Sequence, residues 1–131
     1  MPRLDKTALL LGFLLAGTFL QAAPTQADRP VFARCTGAID GLPIRLEFAA
    51  PALSPGQPGT MNLFLGDHPE AIDHNLNVLA DDENGTKVEV FTALEPEYRF
   101  AVITIPRARK SRVVIYAEQW RANWATVDCE R

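Results

Sequence analysis

From residue 31 onward, apolar and polar side chains alternate in short runs. Residues 42–48 show it most cleanly. Leu42, Ile44, Leu46 and Phe48 share one parity, while Pro43, Arg45 and Glu47 share the other. A period of two sends successive side chains to opposite faces, so this run predicts a strand with Ile44, Leu46 and Phe48 in the core. Pro43 has no amide hydrogen for a neighbouring strand, which places it at a strand start or an edge. The same reading predicts strands at 31–35, 61–65, 76–80, 87–94, 98–105, 112–117 and 124–129. In 98–105 both faces are apolar towards the end, the pattern of a central strand. After the first 27 residues no segment carries a helical period of 3.6.

The connections carry turn chemistry. Asp40-Gly41 and Asn84-Gly85 are pairs that tolerate positive φ and suit tight hairpins. Residues 49–60 hold Pro51, Pro55, Gly56, Pro58 and Gly59, a loop expected to be ordered by proline stiffness. Residues 66–74 form a polar loop in which 70–73 has the length of one helical turn, and 118–123 reads as a turn or one helical turn. Glu95-Pro96 breaks one strand, and 106–111 is a basic loop. About eight short antiparallel strands predict an all-β domain, a small β-barrel or a β-sandwich.

Two cysteines bear on the closure of that sheet. Cys35 lies on the first predicted strand and Cys129 ends the last. A disulfide between them ties the first strand to the last and favours the barrel, where those strands are neighbours. Residues 1–27 read as a secretory signal: Arg3 and Lys6, then an apolar run over 8–20, then the small residues Thr25 and Ala27 at a cleavage site. That run is shorter than the ~20 residues needed to span a bilayer. The remaining 104 residues make a single domain, 28–131, expected in the periplasm or secreted, with no membrane span.

Charge narrows the partners. The whole chain carries a net charge of −3, and the 28–131 part is more acidic still. Nine acids and one base, Lys87, lie in 66–97, whereas 98–131 holds seven bases and three acids. If the two regions face opposite ways, the molecule is a dipole able to steer a charged partner. Arg107, Arg109, Lys110 and Arg112 form a basic run suited to an acidic protein or an anionic envelope component. No aromatic residues interleave with it, which argues against nucleic acid. Trp120 is a candidate aromatic anchor beside it, and Trp124 a candidate core residue.

Little else carries chemistry. His68 and His74, with Asp67, Glu70 and Asp73, have the donor types of a zinc or copper site, although their spacing matches no metal motif. The acidic run 81–85 lacks the first-position acid and twelfth-position glutamate of a calcium loop. After the leader the only serines are Ser54 and Ser111, neither within a nucleophile motif. The resulting expectation is a non-enzymatic exported β-domain without a cofactor, binding another macromolecule as an inhibitor or accessory protein. The alternative is a small-ligand or metal-binding barrel that uses His68 and His74.

Overall fold

The computed structural model describes residues 30–116 and 124–131. The leader expected at 1–27, the turn at 118–123 and Trp120 lie outside the described residues. Eight strands follow in order: β1 (Val31–Ile39), β2 (Leu42–Ala49), β3 (Pro58–Leu65), β4 (Ile72–Asp82), β5 (Gly85–Phe91), β6 (Arg99–Ile105), β7 (Ser111–Tyr116) and β8 (Trp124–Glu130). They form one antiparallel sheet in the spatial order β6-β5-β4-β3-β2-β1-β8-β7, and its outer strands β6 and β7 come back into contact. The sheet is thus a nearly closed barrel.

Cys35 and Cys129 face each other in the β1–β8 register and are bonded, with their Cα atoms 4.0 Å apart. The bond is buried inside the barrel. A structural disulfide belongs to an oxidising environment.

Alternation places the interior as expected on β2: Ile44, Leu46 and Phe48 are buried, and Arg45 points outward beside Glu47. Leu42 departs from its parity, being exposed at the strand's end. The Asp40-Gly41 turn takes positive φ at both residues, 49° and 82°. Gly37 on β1 lies so close to the Thr126 carbonyl and Val127 of β8 that a side chain there has no room.

Three expectations are corrected. First, β6 is an outer strand of the ladder rather than a central one. Val90 pairs with Ala101 and Phe91 with Arg99, so Phe100 is an extra residue on β6. This bulge turns Phe100 and Ala101 both inward, and the apolar run reflects a change of face rather than burial on two sides. Second, residues 70–73 form no helical turn, because β4 begins at Ile72 and carries His74 within the sheet. Third, the 49–60 loop is held by more than prolines. The Gly56 amide donates to the Val78 carbonyl at 2.8 Å, and the Val78 amide donates to Gln57 at 2.8 Å. Leu53 packs against the core.

Candidate functional site: an apolar cavity at one end of the barrel

The barrel interior differs from end to end. Phe48, Leu76, Val78, Val88, Val90, Ile105 and Val127 fill one half and are almost completely excluded from solvent. A polar network caps that end. The Arg131 guanidinium donates to the Ile105 carbonyl at 3.1 Å and to Thr86 Oγ1 at 2.9 Å. Thr86 donates in turn to Asp81 Oδ1 at 2.7 Å, and Arg107 holds Asp81 Oδ2 at 2.6 Å and the Asp82 carbonyl at 2.7 Å. Desolvation and the neighbouring Arg107 lower the Arg131 pKa from its ordinary value, with Asp81 opposing them.

The other half is hollow. A cavity of about 480 Å³ is walled by Ile39, Ile44, Leu46, Met61, Leu63, Ile72, His74, Thr92, Ala93, Leu94, Phe100, Ile115 and Ala125. These residues come from the C-terminal ends of β1, β3 and β7, the N-terminal ends of β2, β4, β6 and β8, and the segment after β5. In an antiparallel barrel those ends all lie on the same side. Of these thirteen described residues eleven are apolar, Thr92 and His74 being the exceptions. The volume lies within the range of small-molecule sites, about 300–1,000 Å³. The rim is apolar as well: Leu42, Ile72, Leu94, Tyr98 and Tyr116 are large hydrophobic residues left exposed at this end.

His74 is the polar group of the wall, 6% exposed and tilted against the Phe100 ring with centroids 5.3 Å apart. Its Nδ1 lies 3.2 Å from the Ile72 carbonyl, an acceptor to which the ring donates when Nδ1 carries the hydrogen. Burial lowers its pKa below the ordinary 6.5; the backbone of Ile72 and Met61 and the charge of Asp73 pull the other way. At neutral pH the ring is therefore an uncharged surface within an apolar wall.

The two candidate histidines have separate surroundings. His68 is exposed in the β3–β4 loop, where its Nδ1 accepts from the Glu70 amide at 3.3 Å. Among the described residues no three His, Cys, Asp or Glu side chains are grouped to hold a metal ion.

The basic run lies at the capped end, opposite the cavity. Arg107 is bound to Asp81 and Asp82, Arg112 pairs with Asp128 at 3.4 Å, and Arg109 and Lys110 are exposed. The expected dipole is only partial, because Asp81 and Asp82, from the acidic half of the sequence, sit against Arg107. Trp124 begins β8, but its side chain lies outside the described residues, so its expected place in the core is not assigned.

The cavity has no local signature in the sequence. Its wall is assembled from positions far apart in the chain, and the bulge at Phe100 changes the parity of one of them. The faint signal available was that small Ala125 shares an inward parity with Val127 and Cys129, and that the strand ends carry exposed hydrophobic residues. Comparison of the chain with protein-family models, with curated proteins and with solved structures finds no match.

Proposed function

We propose that this chain is an exported, non-enzymatic binding domain that takes a small apolar ligand into the open half of its barrel, in the periplasm or outside the cell. One observation carries the reading: an apolar cavity of about 480 Å³ in a barrel whose other half is fully packed. A small barrel ordinarily fills its interior with side chains, and one that leaves room for a ligand does so at a mouth. Among the described residues the wall offers no carboxylate, serine or thiol, and its one imidazole there has a bonded Nδ1 and a lowered pKa, which suits binding better than chemistry. Macromolecular docking through Arg107, Arg109, Lys110 and Arg112 has less beneath it, since Arg107 and Arg112 already have acidic partners.

Titration with the neutral fluorescent probe N-phenyl-1-naphthylamine tests the proposal. The folded protein is expected to bind it saturably, one per chain. Ala125→Phe, which projects a ring into the cavity from β8, is expected to weaken binding at least about tenfold while the fold persists. Absence of saturable binding by the folded wild type, or equal binding by a folded Ala125→Phe variant, overturns the proposal.

A further inference from the structure

The chemistry of the mouth narrows the ligand class; this inference rests on the cavity being a ligand site. The turn between β1 and β2, the loop and strand start at 66–73 and the segment 92–99 border the cavity's open end. They carry Asp40, Asp67, Glu70, Asp73, Glu95 and Glu97, all exposed. The one arginine or lysine in the same segments is Arg99, which is itself engaged. Among these acids, Glu97 accepts from Asn75 Nδ2 at 2.6 Å, a neutral donor that leaves its charge in place. Among the described residues the mouth therefore combines an apolar rim with a strong excess of negative charge, while the exposed Arg109 and Lys110 lie at the far end.

Inside, nothing among the described residues offsets that sign. A ligand carboxylate or sulfate drawn into the cavity meets alkyl groups, Thr92 and a neutral His74 whose Nδ1 lies against the Ile72 carbonyl. Burying a charge there without a partner is strongly unfavourable. A charged head group must stay at the mouth, where the sign of the field selects it.

We propose that the cavity takes a cationic amphiphile, its hydrocarbon tail among Leu46, Leu63, Phe100 and Ile115 and its ammonium or guanidinium head against Asp67 and Glu70 of the β3–β4 loop. Apolar burial supplies the affinity and the acidic rim the charge preference.

The test is competition against bound N-phenyl-1-naphthylamine by three molecules with the same tail, each below its micelle concentration: dodecyltrimethylammonium, dodecanol and laurate. Two exposed ion pairs acting together correspond to about tenfold. Dodecyltrimethylammonium is thus expected to displace the probe at about one tenth the concentration of laurate, with dodecanol between. Raising the salt to 0.5 M should shrink the gap several-fold. The double substitution Asp67→Asn, Glu70→Gln should narrow it at least threefold while leaving dodecanol unchanged. Equal displacement by cation and anion, or a preference for laurate, overturns the inference and leaves the apolar-ligand reading standing. Failure of the wild type to bind the naphthylamine probe overturns both.

Discussion

Replacing Cys35 and Cys129 together by alanine removes the one covalent tie between the first and last strands. The bond closes a loop with a sequence separation of 94. Chain-entropy bookkeeping for a loop of that length gives about 4–5 kcal/mol at 25 °C, through restriction of the unfolded chain. The folded side loses less, because β1 and β8 keep a ladder running from Arg34–Glu130 to Ala38–Thr126. A domain of this size is stable by about 5–15 kcal/mol in total, so the double variant should fold but only marginally. Urea unfolding of the oxidised protein and the variant, followed by far-UV circular dichroism, measures the difference. With a slope of about 1–3 kcal/mol/M, the midpoint should fall by roughly 1–5 M. The slope should also rise, since the uncrosslinked chain expands further on unfolding. A loss below about 1 kcal/mol would refute the reasoning and mean that the unfolded ensemble holds β1 against β8 without the bond.

Phe48→Ala, at a fully buried position in the packed half, should cost about 3–5 kcal/mol in the same assay. Leu46→Ala should cost about 2 kcal/mol, the low end for a buried leucine, because its neighbours already line a cavity. Lowering the pH should destabilise the protein through His74. Its folded pKa lies below 6.5, so the unfolded chain binds the extra proton, and stability falls as pH drops from about 6.5 until the folded value is passed. His74→Leu should flatten that segment of the stability curve, and an unchanged curve would exclude the assignment. Arg131→Ala should cost about 1–2 kcal/mol by withdrawing the donors from Ile105 and the buried Thr86. A loss within 0.3 kcal/mol would mean that water replaces the guanidinium freely.

The barrel was legible where its information is local. The period-two runs placed β2, β5 and β8 to within a few residues, and Asp40-Gly41 marked a turn that the backbone adopts. The two cysteines, one on the first predicted strand and one ending the last, pointed to their own pairing. What escaped depends on how distant strands meet. Phe100 and Ala101 differ in parity, and only the bulge opposite Val90 and Phe91 turns both inward. His74 stood among Asp67, Glu70 and Asp73 and so looked like part of a solvated loop, yet pairing of Met61 with His74 draws it into the sheet. Arg131 has no pattern around it, and its role exists only because β8 delivers it to the end of β6. The cavity is hardest of all to foresee, since empty space belongs to no residue.

The capped end is also where the described chain enters and leaves. Val31 begins β1 beside Ala49 at the end of β2, and Glu130 closes β8 beside Arg34. A tether joined at residue 30 or 131, whether an affinity tag, a partner domain or a linker to a sensor surface, therefore attaches at the capped end and leaves the mouth pointing away. Immobilised through residue 131 or 30, the domain presents its hollow face outward without redesign. The turns around that face can be exchanged or lengthened independently of the attachment point, which makes the barrel an oriented receptacle with its handle on the opposite side.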